Sequence, residues 1–381
     1  MSLLPWNQKQ STGKQKDGEQ TPHVAEFCTR GSSDRLSPLT AGDSLRRWLR
    51  APPDTQAMLE WFHSLVTRCP LLYGSYEDCQ AKYSWLLSVM KISIMESTTE
   101  ADMTQYKIIA GTFHVKGFSP DGDSIRFQAN NMANWDFFKW QTEKDKKASR
   151  KQLRIESIDA METHYEGYHQ PRTFALAALE SLLELVGIKS VTYSLSMTKI
   201  VDADDGKAGF IASASTDKYG RPVSYLFPKS AKLTDGAVMD SATLPIEDSI
   251  NFELAREGLV YPTFYTTTDR VFAEKFRAVV ARARKTKRGI WSIDRTSDFT
   301  LYDIRTLQED ILLLPKLFRR LVSFFDGYSE FNQLSDYLTK QKDSLVLWDG
   351  TKKKSLAELM KISGRRIQLK TPVEDIFFKA K

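Results

Sequence analysis

From Tyr106 to Phe227 the chain keeps returning to short runs in which apolar and polar residues alternate, each closed by a turn signal. That pattern restricts this stretch to a hairpin-rich sheet with one face buried. YKIIAGTFHVKGF leads into a turn around Pro120 to Gly122 and then SIRFQA, and after a polar, basic interruption QLRIESID supplies a third strand. Gln170 to Val186 breaks the alternation. There Phe174, Ala177, Ala178, Leu182 and Leu185 form the apolar face of a helix, with Gly187 at the C′ position. Period two resumes at Val191, Tyr193, Leu195 and Met197, and FIASAS and PVSYLF flank a turn at Asp217 to Arg221. Two helices follow, about 248–258 and 268–286, ending at Gly289-Ile290-Trp291. The order β-β-β-α-β-β-α-α predicts an α+β domain, a small barrel with helices packed on it.

This domain is expected to span 101–294. Residues 1–40, rich in Gln, Lys, Ser, Thr and Gly, are expected to be a disordered tail. Residues 41–100 are expected to form a helical N-terminal region, with Asp54 and Ser75 as helix caps. Beyond Asp294, Asp303 to Phe325 predicts a helix kinked at Pro315, and Ser344 to Lys370 a strand, a helix and a strand. Together, residues 295–381 suggest a separate α/β module.

The chemistry is carried by three short motifs. Asp121-Gly122-Asp123-Ser124 lies at a turn, Arg154 to Glu162 spans a strand and its end, and Asp217 to Arg221 forms a hairpin turn. Asp159 and Glu162 converge if the chain turns at Ala160-Met161, and Asp123 sits on a neighbouring strand. Carboxylates in such an arrangement suit a hard divalent cation, and arginine forks suit a phosphate. Each residue alone also fits a bland role: a solvated acid, a surface arginine, or a salt bridge of Arg154 to Asp159 or Glu156. Three distinct stretches, Lys139 to Arg154, Arg270 to Arg288 and Lys352 to Lys381, concentrate the basic charge, which favours a polyanionic partner.

Four segments, SPDGDSIRF, LRIESIDAMET, TDKYGRPVSYLF and NFELAREGLVYPTFY, occur in this order and are followed by a basic helix ending in RGIWS. The series resembles the staphylococcal-nuclease-like (thermonuclease) family over about residues 106–293. The resemblance implies an OB-fold five-stranded β-barrel and calcium-dependent hydrolysis of DNA and RNA at the P–O5′ bond, leaving 3′-phosphates. Position by position, it implies that Asp123 and Asp159 bind Ca2+, with a backbone carbonyl from Ala160. It makes Glu162 the residue that activates water, and Arg154 and Arg221 the contacts to the scissile phosphate. Tyr219 and Tyr261 become substrate-binding candidates, with barrel packing as the alternative for each. The family's Asp-x-Pro-Glu is here Asp159-Ala160-Met161-Glu162, which removes a stiffening proline.

Residues 130–150 interrupt the family pattern and join Trp135, Phe137, Phe138 and Trp140 to a lysine run. These aromatics either stack on single-stranded nucleic acid or dock onto the helical N-terminal region. The five histidines show no zinc spacing, and Asp202, Asp204 and Asp205 fit a solvated loop better than a calcium loop. Three cysteines without a framework spacing, and an N-terminus without a signal-like apolar run, lead to the expectation of an intracellular, cytoplasmic or nuclear protein. The rival expectation is a nucleic-acid-binding scaffold whose barrel no longer turns over.

Overall fold

The computed structural model describes residues 103–195, 199–328 and 330–380. The expected tail, the helical region at 41–100 and any docking of the insertion's aromatics on it lie outside the described residues. Among the described residues no helix is long and apolar enough to cross a membrane.

In chain order, the first part contains β1 (Gln105–His114), β2 (Ser124–Ala129), the short helix α1 (Glu143–Lys147), β3 (Arg150–Ile155), β4 (Ser157–Asp159) and α2 (Arg172–Leu185). It continues with β5 (Val191–Tyr193), β6 (Ile200–Ala203), β7 (Lys207–Thr216), β8 (Pro222–Pro228) and β9 (Val238–Asp240). Strands β2, β3, β8, β7 and β1 pair in that order, and β1 pairs back onto β2, which closes a five-stranded barrel. β2 meets β3 antiparallel with Ser124 opposite Arg154, whereas β3 meets β8 parallel with Arg154 opposite Val223. The alternation seen in the sequence is the cause: in β3, Lys151, Leu153 and Ile155 are buried while Arg150, Gln152 and Arg154 are not. Helix α2 buries Ala175, Ala178, Leu179, Leu182 and Leu183, and Gly187 follows it with φ +91°, the left-handed conformation that a C′ glycine supplies.

The second part contains α3 (Ile250–Arg256), β10 (Tyr261–Tyr265), α4 (Arg270–Lys285), β11 (Asp298–Thr300), α5 (Pro315–Gly327) and α6 (Leu334–Lys340). It ends with β12 (Leu345–Leu347), β13 (Lys352–Lys353), β14 (Met360–Ser363), β15 (Arg366–Leu369) and β16 (Ile376–Phe378). Two expectations change here. The stretch from Asp303 is not one kinked helix: Ile311 to Leu314 run extended and buried, and α5 begins afresh at Pro315. Proline has no N–H to donate, so it suits the first helical position and forces the preceding residue out of the helix. Nor does the C-terminal segment stand apart. Strand β10 pairs antiparallel with β4 and parallel with β16, so the sheet runs β13-β12-β16-β10-β4. Residues 103–381 form one compact unit.

Candidate functional site

The outward position of Arg154 on β3 brings it beside the turn before β2, where the Ile155 N–H donates to the Asp123 carbonyl at 3.0 Å. A Cβ on Gly122 would lie 2.8 Å from the Cβ atoms of both Ala160 and Ala178, so this turn presses onto Ala160 because it has no side chain there. Asp121 is held by the Ser124 hydroxyl, which donates to it at 2.5 Å. Burial, then the carboxylates of Asp121 and Asp159, push the Asp123 carboxyl well above the ordinary range, with Arg154 pulling against them. Acids gathered in this way around Asp123 suit a cation.

Strand β4 ends at Asp159, and the turn that follows is fixed without proline. Met161 is fully buried. Gln170 brackets Glu162 from both sides: its side-chain oxygen accepts from the Glu162 N–H at 3.1 Å, and its own N–H donates to the Glu162 carbonyl at 2.9 Å. The side-chain nitrogen of Gln170 donates in turn to the Leu313 carbonyl at 2.7 Å. The two acids of the turn do converge, because one guanidinium reaches both. Arg319, from α5, donates to Asp159 at 3.0 Å and also to Glu162. Burial pushes Glu162 up to about 7, although Arg319 pulls it down.

Arg154 donates to the Tyr265 hydroxyl at 3.3 Å. Burial disfavours its charge, yet Tyr265, Asp123 and Asp159 more than compensate and hold its pKa above the ordinary arginine value. Lys316, one helical turn before Arg319, lies 5.7 Å from the Tyr265 ring and 4.0 Å from that of Phe378. Arg221 lies in the turn just before β8, two residues ahead of Val223, the residue of β8 that faces Arg154. Its guanidinium is held by Asp217, with Nε donating at 2.8 Å. Asp217 also accepts from the backbone N–H groups of Tyr219 and Arg221, each at 2.9 Å, which shapes the turn.

The two tyrosine expectations separate. Tyr219 is 67% exposed beside Lys218 and Arg221, where a substrate could reach it. Tyr261 must be corrected: it is fully buried, packs edge-on against Trp291 and donates its hydroxyl to Asp294 at 2.6 Å. The tyrosine of that strand that meets Arg154 is Tyr265, missed in the sequence although it closes the same motif.

Residues 152–293 match the family model of staphylococcal nuclease homologues. This stretch is similar to staphylococcal nuclease homologues. No curated protein matches the chain. The match suggests a nuclease-like or nucleic-acid-binding function. The match begins within β3, so β1, β2 and Asp123 precede it. The register of β2 on β3 is what completes the nuclease-homologue barrel and returns Asp123 to Arg154.

The donors Asp121, Asp123 and Asp159 are all carboxylates and fit calcium in kind. Among the described residues, however, no group of three or more His, Cys, Asp or Glu side chains is arranged around a common metal position. The cation seated on Asp159 and Glu162 is the guanidinium of Arg319.

Within the insertion the aromatic side chains meet one another. Trp135 and Phe138 are buried, with Trp135 5.9 Å from Trp140 and 5.8 Å from Phe138, while Phe137 stays exposed. Lys151 sits 4.2 Å from the Trp140 ring and donates to the carbonyls of Asp145, Lys146 and Ala148 at 2.5, 3.1 and 3.2 Å. Helix α4 likewise spends part of its basic face internally. Arg270 lies 3.8 Å from the Trp348 ring, Arg277 pairs with Asp375 at 2.5 Å and Arg284 pairs with Glu374. The acidic loop is structural: Asp205 meets His114 at 2.9 Å, Asp204 meets Lys207 at 2.8 Å and Asp202 meets Lys116 at 2.6 Å.

Proposed function

We propose that this site hydrolyses phosphodiester bonds of DNA and RNA in a calcium-dependent reaction. Single strands are the preferred substrate, sequence specificity is low, and the products carry 3′-phosphate and 5′-hydroxyl ends. The observation that carries this reading is the grouping of Asp123, Arg154, Asp159 and Glu162, in which the charge of Asp159 reaches each of the other three. Asp123, Asp159 and the Ala160 carbonyl would hold calcium, which when bound supplies Lewis acidity toward the phosphate and a position for water. Arg154 faces the same position, and its fork would stabilise the charge that builds on phosphorus as the P–O5′ bond breaks. Tyr265 orients that fork. Glu162 would take the proton from the attacking water. Arg221, held by Asp217, would bind the phosphate from the neighbouring strand, with Tyr219 stacking on a base.

A second reading, a nucleic-acid-binding scaffold, is favoured by one observation: Arg319 already forms ion pairs with Asp159 and Glu162. The deciding assay is cleavage of single-stranded DNA and RNA in calcium, in chelator, and with Glu162→Gln. Calcium-dependent cleavage lost in the variant supports the nuclease; binding with no cleavage under any condition supports the scaffold instead.

A further inference from the structure

We propose that Arg319 is a tethered cation seated in the divalent-cation site, and that the helix carrying it sets the affinity of that site for calcium. This rests on the phosphodiesterase reading above. The geometry is one of direct competition. Nη2 of Arg319 lies 3.0 Å from Oδ2 of Asp159, and Nη1 bonds Oε1 of Glu162 while lying 3.4 Å from Oδ1 of Asp159. Both oxygens of Asp159 therefore face the guanidinium. Calcium would draw on the same two oxygens, so the charge and bulk of the guanidinium oppose its approach to Asp159.

The neighbour of Arg319, Arg320, forks Asp343 at 2.6 and 2.8 Å, so the helix divides its two arginines between separate acidic sites. The placement is fixed from three directions. Leu317, Phe318, Leu321 and Val322 anchor α5 in the core. Gln170 ties the Glu162 turn to the Leu313 carbonyl just before the helix. Lys316 packs on Phe378, the last residue of β16.

Charge explains why exchange is possible. One guanidinium faces two carboxylates, so Arg319 alone does not balance Asp159 and Glu162, while Asp121 and Asp123 add acids and Arg154 adds a second cation alongside. The Arg319 side chain is 25% exposed, which leaves it a route to water, whereas the Asp159 side chain is only 2% exposed and needs a cation of one kind or the other.

The test is calcium titration by calorimetry on the full chain, together with the calcium-induced change in melting temperature, for wild type, Arg319→Gln and Arg319→Lys. Arg319→Gln is expected to bind calcium ~10-fold or more tightly than wild type and to gain more thermal protection from it. Arg319→Lys keeps the charge but cannot fork two acids, so its affinity is expected between the two. If Arg319→Gln does not fold, a rise in affinity for Arg319→Lys alone carries the same conclusion. Equal affinities in all the folded proteins, with calcium-dependent cleavage intact in wild type, would overturn the proposal and leave the nuclease reading standing. If no protein binds calcium at millimolar concentration the proposal also falls, and the calcium-dependent reading falls with it.

Discussion

Glu156 joins β3 to β4 beside Asp269, Thr268 and Arg154, and it illustrates how narrowly single residues are constrained here. Burial and then Asp269 push its carboxyl up to about 8, against Arg154 and a bond from Thr268. The folded protein therefore holds a proton there that the unfolded chain releases near its ordinary pKa of 4.5. Stability from this group is full below about pH 4.5 and is lost as pH rises towards 8. Glu156→Gln should leave the melting temperature unchanged near pH 4.5 and raise it at pH 9, by an amount equivalent to roughly 2–4 kcal/mol. No difference between the two pH values would remove the assignment. At Gly122 the constraint is space: Gly122→Ala should cost about 1–3 kcal/mol and shift Asp123, seen as lower stability together with weaker calcium binding. Arg154→Ala should lower cleavage about 100-fold or more with the fold intact, as expected for a group that meets the developing charge. Asp123, Arg154, Asp159 and Glu162 were legible because their motifs are contiguous. Tyr265 was not, because which tyrosine of YPTFY faces the site depends on the strands to either side.

The insertion shows the same division among elements. Its aromatics and lysines suggested nucleic acid, yet the structure joins several of them to each other. Lys151 draws three carbonyls at the end of α1 onto one ammonium, under Trp135 and Trp140. Burial brings its pKa down to about 8, so the charge is retained at neutral pH but costs more than usual. Lys151→Met should release those carbonyls, loosen α1 and destabilise the protein by about 1–3 kcal/mol, read by thermal denaturation and tryptophan fluorescence. An unchanged spectrum and melting temperature would mean that the lysine is a bystander. Helix α4 was legible as a basic amphipathic helix from its spacing alone. Its partners were not, since Arg277 and Arg284 meet Asp375 and Glu374 some 98 and 90 residues later.

For the molecule as a whole, the decisive feature is β16, which lies between β10 and β12 and seats Phe377 5.2 Å from Phe264. Deleting residues 295–381 would free Asp159 and Glu162 from Arg319 but would also strip the edge of β10. The expected result is loss of soluble monomer on size-exclusion chromatography, since an uncovered apolar strand edge invites aggregation. A stable monomer would show that the C-terminal segment is dispensable for folding. By itself the sequence determined the barrel strands and the helices between β4 and β11, because these follow from local periodicity, and its short motifs named four residues that the structure brings together. Only the tertiary structure decided that Tyr261 is core, that the C-terminal segment extends the sheet of β4 and β10, and that Arg319 sits on the carboxylates. The physical reason is distance along the chain: 157 residues separate Arg319 from Glu162, and packing, not periodicity, brings them together.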